Sequence, residues 1–224
     1  YENAKQHSDA FLSQFPNNKL ATDVIFIAAE SQLLQEDFAG AEQRYQQFLS
    51  KAPGHANAPR AKVRQALAMH MAGKYAAAIT SLEAASTSLT DPALKSEAQA
   101  LTGRSLFAQD KFDLAAASLE KSLATKPDTE QSDETMLVLA DAYRQLDRQS
   151  ASTALLKRVV QQFLNSSRLD EATFRLGEAA YEQGNLEEAV SQYSAVVQRW
   201  PDGQFAPHAQ YGLGWTYFNA EEFV

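Results

Sequence analysis

Apolar residues in segment 170–201 recur with the spacing of an α-helix on both sides of a polar turn. The apolar positions are Leu176, Ala180, Tyr181, Leu186, Ala189, Val190, Tyr193, Val196 and Val197. Gly184 and Asn185 interrupt this pattern, and Pro201 ends it. The segment is therefore predicted to form two amphipathic helices joined by a tight turn. A lone helical hairpin of this size cannot bury its own apolar face, so the pattern is expected to recur.

The pattern does recur, with a period of 37 residues. The residues that open the second helix are Tyr1, Phe38, Tyr75, Phe112, Gln149, Leu186 and Phe223. The small residues of the first helix are Ala29, Ala66, Gly103, Ala140, Gly177 and Gly214. The residues at the end of each unit are Pro16, Pro53, Thr90, Pro127, Leu164 and Pro201. Such phase-locked copies identify a repeat protein.

The packing of neighbouring helices explains which residue types recur. Small residues are needed where two helices cross closely, and large residues fill the space between successive hairpins. The predicted space-filling residues are Tyr45, Leu82, Leu119, Leu156 and Tyr193. Gly73 and Gly184 suit the turn between helices, because a positive φ is accessible to glycine. Asp91 followed by Pro92 predicts an N-cap and the first residue of a helix.

These residues resemble the tetratricopeptide repeat family, and Gly177, Gly184, Ala189, Tyr193 and Pro201 form the best single copy of its pattern. The resemblance implies an all-α fold, a right-handed superhelical solenoid of helical hairpins. Repeats of that family usually have about 34 residues. The additional residues here lie between the terminal proline and the next helix. This longer form resembles bacterial envelope proteins such as the outer-membrane assembly lipoprotein and the Tol–Pal-associated coordinator.

The period predicts a single solenoid over residues 1–224. Its full repeats are expected at 18–54, 55–91, 92–128, 129–165 and 166–202, with half-repeats at 1–17 and 203–224. Because both ends cut through a repeat, we expect the chain to be a fragment of a longer protein. The repeat at 129–165 departs from the pattern at three positions, which indicates either tolerated drift or a place where the stack can flex.

Composition narrows the classes of partner. The formal net charge of −8 argues against nucleic acid, and no apolar run approaches the roughly 20 residues that span a bilayer. The absence of cysteine excludes disulfides and is compatible with an oxidising envelope compartment. The resemblance to bacterial envelope proteins implies the periplasm or another compartment of the cell envelope, with the cytoplasm as the alternative.

The sequence contains no pattern of catalytic or metal-binding residues. The histidines fall at unrelated repeat positions, the zinc-binding pattern HExxH is absent, and glycines occur singly rather than as a phosphate-binding loop. We therefore predict no enzymatic activity, no cofactor and no metal.

The family resemblance implies that a peptide or protein partner binds along a concave face lined by the first helix of each repeat. The predicted partner-binding residues are Phe26, Arg60, Leu67, Arg104, Phe174 and Trp215. In the alternative interpretation, the apolar members of this set pack between repeats. The carboxylate-binding lysines and asparagines of the chaperone-binding members are not reproduced, which disfavours binding of chaperone C-termini.

Charged residues on the first helices form two predicted ion pairs between neighbouring repeats, Glu30 with Arg64 and Asp141 with Arg175. We interpret these pairs as structural supports of the groove rather than as ligand contacts. Arg60 and Arg104 lie outside this pairing pattern, and their guanidinium groups suit bidentate binding of a partner carboxylate. The alternative is that both side chains extend into solvent.

Aromatic residues are concentrated in the last half-repeat. They are Tyr211, Trp215, Tyr217, Phe218 and Phe223. Either a continuation of the protein covers them, or they meet the first half-repeat of another chain in an end-to-end interface. The sequence thus predicts an interaction scaffold, with a self-assembly segment or the regulatory arm of a larger enzyme as alternatives.

Overall fold

Helices form almost the whole chain. The computed structural model describes residues 1–129 and 131–222, so the predicted interface residue Phe223 lies outside the described residues. The helices are α1 Glu2–Gln14, α2 Ala21–Leu34, α3 Phe38–Lys51, α4 Ala58–Met71, α5 Tyr75–Ala85, α6 Pro92–Phe107, α7 Phe112–Thr125, α8 Ser132–Gln145, α9 Gln149–Gln162, α10 Leu169–Glu182, α11 Leu186–Arg199 and α12 Ala206–Glu222. The described residues contain no strand, which confirms the predicted all-α class.

Helix starts follow the period of the sequence pattern. The second helices of the hairpins, α3, α5, α7, α9 and α11, begin at positions 38, 75, 112, 149 and 186. The first helices begin at the same interval, except that α6 begins three residues early, at Pro92. This early start has a local cause, because Asp91 Oδ1 accepts a hydrogen bond from the backbone N–H of Ala93 at 2.9 Å. A short 3₁₀ turn, Ser86–Ser88, precedes it.

The chain divides into two compact units. The first comprises Tyr1–Pro127 with α1 to α7, and the second comprises Asp128–Val224 with α8 to α12. The division falls beside the expected boundary between the third and fourth repeats. Within each unit every helix packs against the next one along the chain, and α4 also packs on α6, as α10 does on α12. Two pairs of successive first helices, α4 with α6 and α10 with α12, are therefore packed against each other.

One backbone conformation recurs in the turn inside every hairpin. The residues with positive φ are Glu36, Gly73, Asp110, Asp147 and Gly184, which all occupy one position of the repeat. After each of them, the next N–H bonds back to a carbonyl of the first helix, as from Asp37 to Gln32 at 2.9 Å. This bond is part of a Schellman motif, which requires a left-handed residue at the end of the helix. The glycine turns are as predicted, and three other turns reach the same geometry without glycine.

The core combines large buried side chains of the second helices, such as Phe48, with both small and large buried residues of the first helices, such as Ala29 and Leu101. All five predicted space-filling residues are buried. At Gly103 a Cβ atom would lie 2.5 Å from Cγ of Leu119, so a close helix crossing explains the small residue there. Gly214 differs, because a Cβ at that position would meet nothing within 4 Å.

Candidate functional site

An aromatic cavity of about 600 Å³ lies between α10, α11 and α12 in the second unit. Its lining residues are Phe174, Glu178, Tyr181, Tyr193, Pro207, His208, Tyr211, Gly212 and Trp215. Six of these nine carry aromatic rings and one is a carboxylic acid. A mostly aromatic wall with a single carboxylate is typical of a binding pocket, whose polar groups are few and fix the orientation of the ligand.

Helical spacing brings the lining residues together. Phe174, Glu178 and Tyr181 stand four and three residues apart on α10, so they share one face of that helix. On α12, His208, Tyr211 and Trp215 stand three and four residues apart and face them from the other side. These two helices are the first helices of successive repeats. The cavity therefore lies on the surface where the family resemblance places partner binding.

Ring contacts hold the aromatic wall in place. The ring of Phe174 stacks on Phe205 with centroids 5.4 Å apart and tilts against His208 at 6.0 Å. Tyr211 and Trp215 meet edge to face at 6.2 Å. Such contacts add to the energy of burial and restrict ring orientation. These contacts therefore orient the rings of the wall relative to one another.

Tyr193 forms the floor of the cavity and is wedged between two glycines. A Cβ on Gly177 would lie 2.7 Å from its ring, and a Cβ on Gly212 would also lie 2.7 Å from it. Burial, followed by the charge of Glu178, raises the pKa of the Tyr193 phenol to about 12. Tyr193 is therefore a neutral, immobilised ring at neutral pH.

Glu178 supplies the one carboxylate of the cavity lining. Burial raises its pKa, and so do the charges of Glu182 and Asp141, while Arg144 and Arg175 act in the opposite direction. Arg175 is already engaged, since it pairs with Asp141 and its Nη2 lies 2.5 Å from Glu171 Oε1. The pKa of this carboxyl is thus raised because burial and the neighbouring acids outweigh the charges of Arg144 and Arg175.

The other acids at this repeat position have their cations within the chain. Glu30 Oε1 lies 4.0 Å from Arg64 Nε, and the same carboxylate accepts a hydrogen bond from the Tyr45 hydroxyl at 2.7 Å. Arg64 also reaches Glu97 at 3.5 Å. The pairings of Glu30 with Arg64 and of Asp141 with Arg175 are those that the repeat pattern indicates.

The predicted partner-binding residues are divided between the two units. Phe174 and Trp215 line the cavity, whereas Phe26 and Leu67 pack against the core of the first unit. Arg60 has an acidic neighbour after all, because its Nη2 lies 3.9 Å from Glu30 Oε2. The expectation that it lies outside the ion pairs is therefore wrong.

The second candidate carboxylate-binding residue, Arg104, is half-buried and interacts within the chain. Its role in binding a partner carboxylate stays a prediction.

Those of the predicted end-to-end residues that the structure describes are exposed aromatic side chains on α12. Tyr211 is 69%, Tyr217 54% and Phe218 53% exposed. Beside Gly214, three of these rings enclose a shallow apolar depression, formed by Tyr211, Trp215 and Phe218. Trp215 belongs to both the depression and the cavity, whereas Tyr217 lines neither.

Six residues of the cavity lining were not predicted from the sequence to contact a partner, namely Glu178, Tyr181, Tyr193, Pro207, His208 and Gly212. A signal for them was present in the repeat pattern. Glu178 occupies the same repeat position as Glu30 and Asp141. In the next first helix, the position that carries the pairing arginine for those two acids carries Gly212 for Glu178. The signal is therefore an acid, Glu178, for which the next first helix lacks the pairing arginine.

Within residues 1–129 and 131–222, no group of histidine and acidic side chains could hold a metal ion. No helix among the described residues has the length and apolar character needed to cross a membrane.

Solved structures with the same fold are numerous and distant in sequence. YrrB, described as a tetratricopeptide protein with an unusual peptide-binding site, is 16% identical over 91% of this chain and 99% of its own, with a TM-score of 0.64. PilW, described as a widely conserved type IV pilus biogenesis factor, is 20% identical over 91% and 88%, with a TM-score of 0.73. A tetratricopeptide repeat protein from Parabacteroides merdae is 14% identical over 88% and 72%, with a TM-score of 0.68.

Family models cover the chain from end to end. No curated protein matches the sequence. A model described as a tetratricopeptide repeat-like domain matches residues 1–139, and one described as tetratricopeptide repeat matches residues 137–204 and 174–224. The chain belongs to the tetratricopeptide repeat family.

Proposed function

We propose that this protein is a non-enzymatic scaffold that binds a peptide or protein partner at the aromatic cavity of its second unit. One observation carries the proposal, the convergence of aromatic rings from two successive first helices around a cavity of about 600 Å³. Ligand pockets in proteins have volumes of roughly 300–1,000 Å³. The cavity therefore has room for one or two side chains of a partner.

The exposure of its rim supports a macromolecular partner. Trp215 is 46% and Tyr211 69% exposed, although both border the cavity. Half-exposed aromatic residues of this kind are enriched among the residues that contribute most to protein interfaces. A peptide-binding site in YrrB, which shares this fold, is consistent with the same use here.

We further propose that the protein acts in the bacterial cell envelope, in the organisation of the outer membrane or wall. The support is the long form of the repeat, which resembles that of envelope proteins. PilW, a pilus biogenesis factor, has the same fold. Cell fractionation of the full-length gene product tests this location, and recovery with the cytoplasmic fraction contradicts it.

Capture from a native extract with matched baits tests the binding function. Trp215→Ala removes a ring that lines the cavity, and Tyr217→Ala removes an exposed ring two residues away that does not. We expect a partner that wild type and Tyr217→Ala retain and Trp215→Ala loses. A photo-crosslinking residue at Tyr211 should then join that partner directly. Equal retention by all three baits contradicts binding at the cavity.

Self-association through the aromatic patch of α12 is a second candidate function. The exposure of Tyr211, Tyr217 and Phe218 favours it, because contiguous apolar patches mark interaction sites. Sedimentation velocity over a range of concentrations should then show a mass that rises with concentration and returns to the monomer value in Phe218→Ala. A monomer at every concentration contradicts this candidate.

A further inference from the structure

Three acids occupy one repeat position on the first helices. Glu30, Asp141 and Glu178 are separated by whole numbers of repeats and stand at the same place in α2, α8 and α10. Their surroundings can be compared residue by residue, because each is followed by its own second helix and by the first helix of the next repeat. The comparison shows what each carboxylate is paired with.

Arginine from the next first helix covers the first two acids. Arg64, on α4, lies 4.0 Å from the Glu30 carboxylate, and Arg60 lies 3.9 Å from it. Arg175, at the same repeat position as Arg64, pairs with Asp141. The space beside an acid at this repeat position therefore accommodates a guanidinium group. For two of the three acids, an arginine of the chain itself occupies that space.

The third acid has no arginine at the corresponding sequence positions. Gly212 occupies, relative to Glu178, the repeat position that Arg64 occupies relative to Glu30. His208 likewise stands in the place of Arg60. The cavity opens where these two side chains are small or short, and both residues line it.

We propose that the cavity at Glu178 binds the guanidinium group of an arginine side chain that a partner protein presents. The partner's arginine takes the place over Glu178 that Arg64 takes over Glu30. This inference rests on the proposed function, since it names the side chain by which a partner would enter the cavity.

The aromatic and acidic lining of the cavity suits a guanidinium group. A guanidinium is planar, stacks on aromatic faces and donates paired hydrogen bonds to a carboxylate, and the cavity offers the rings of Trp215, Tyr211 and Phe174 beside Glu178. The charge of the protein, −8, also favours a cationic partner. A lysine ammonium is a compact, strongly hydrated charge and would gain less from stacking.

The charged groups around Glu178 leave it able to accept a cation. Arg144 acts on it through its charge but does not line the cavity, and Arg175 is committed to Asp141 and Glu171. Glu182 and Asp141 add negative charge. A guanidinium over Glu178 therefore meets a net attraction.

A pair of isosteric probes tests the inference on the chain as it stands. The probe is a capped pentapeptide of alanines with a central arginine, and its control carries citrulline, which has the same shape without the charge. Binding is followed by NMR through the indole N–H signal of Trp215, which Trp200→Phe distinguishes from the other tryptophan. We expect the arginine peptide to bind at least about tenfold more tightly than the citrulline peptide.

Variants of the cavity complete the test. Glu178→Gln should remove the preference for arginine, whereas Glu182→Gln, the same change one helical turn further along α10, should keep it. His208→Arg should block the probe, because it places in the cavity the side chain that covers Glu30 in the first repeat. Gly212→Arg is unsuitable, since a Cβ there would lie 2.7 Å from the Tyr193 ring.

The outcomes separate this inference from the function on which it rests. Equal binding of the two peptides, no binding of the arginine peptide at millimolar concentration, or an arginine preference that survives Glu178→Gln overturns it. A partner captured in a Trp215-dependent manner without any arginine preference leaves the scaffold function standing and rejects only the guanidinium site. If no protein is captured in a Trp215-dependent manner, the proposed function itself is rejected.

Discussion

The turn inside each hairpin places one residue in the left-handed region of backbone space. Glycine occupies this position in two repeats, while Glu36, Asp110 and Asp147 occupy it in the others, with φ of 61°, 57° and 57°. A side chain in this region is strained because Cβ approaches the following carbonyl oxygen. The hydrogen bonds that close the helix end compensate for this strain, since the same bond pattern is present in all five turns.

Relief of this strain gives a first prediction. Glu36 is exposed and, among the described residues, takes part in no ion pair, so Glu36→Gly changes little besides the backbone. We expect a gain in the free energy of unfolding of about 0.5–1 kcal/mol, measured by urea denaturation. Gly73→Ala, at the same repeat position, should lower it. A loss of stability in Glu36→Gly would contradict the account.

The glycines that touch Tyr193 give a second prediction. Gly177→Ala should destabilise the protein by about 1–3 kcal/mol, because the ring cannot retreat from the new methyl group without moving towards Gly212. Gly214→Ala, at the same repeat position one repeat later, should stabilise it by up to about 1 kcal/mol through helix propensity alone. Thermal unfolding of the two variants should therefore shift in opposite directions.

The raised pKa of Glu178 makes stability depend on pH in a third prediction. Between the ordinary glutamate value and the raised one, the folded state binds more protons than the unfolded state, so stability falls as pH rises through this interval. Above the raised pKa the penalty is fully present. Glu178→Gln should therefore have a higher melting temperature than wild type above that pKa, and the difference should shrink as the pH falls below it. Glu182→Gln is the control, and a melting temperature of Glu178→Gln below that of wild type contradicts the prediction.

At the scale of the element, ion pairs link first helices to one another. Arg175 on α10 bonds Asp141 on α8 and Glu171 on its own helix, and the three side chains are between 15% and 24% exposed. Removing a cation from such a site leaves two carboxylates facing each other with reduced solvation. The link between α8 and α10 thus depends on one guanidinium.

We expect Arg175→Ala to cost about 1–3 kcal/mol in the free energy of unfolding. Arg168→Ala is the matched control, because Arg168 joins the same two helices through Glu134 and Glu171 at 3.4 Å but is 43% exposed. Its loss should cost less than about 1 kcal/mol. Similar losses of unfolding free energy in the two variants would show that the burial of the Arg175 ion pairs adds nothing to stability.

The elements were predictable because repetition makes each position visible several times. The second helices begin where the opening residues of the pattern stand, even in the repeat at 129–165 with Gln149 and Ser152. Only α6 begins at a different position of the repeat, and the N-cap at Asp91 that causes this start was predicted from the sequence. The positive φ angles of Glu36, Asp110 and Asp147 were not predicted, because a glutamate or aspartate does not by itself indicate a positive φ as a glycine does.

The site was only partly predictable, and for a physical reason. Phe174 and Trp215 were identified because large apolar residues on a groove face are visible by type. Glu178 and Gly212 were not, because the role proposed for them depends on an arginine side chain that is absent at the repeat position opposite the carboxylate. Arg60 was misjudged, since its reach to Glu30 depends on the rotamers of two long side chains.

At the scale of the whole molecule, the chain forms two compact units, Tyr1–Pro127 and Asp128–Val224. In a linear array of repeats, stability comes from each unit and its immediate neighbours. We predict that residues 1–127 expressed alone are helical and unfold cooperatively, as followed by circular dichroism. A disordered fragment would contradict this prediction.

The difference between Glu30, which pairs with Arg64, and Glu178, for which the same repeat position carries Gly212, has a consequence for how such proteins diversify. A copy of a repeat with this pattern carries both a carboxylate and an arginine at fixed positions. If the guanidinium site proposed above exists, one substitution of that arginine is enough to open the carboxylate to the same chemical group from a partner. A new specificity would then arise by removal of a side chain, and the paired repeats of the same chain would indicate which group the open position accepts.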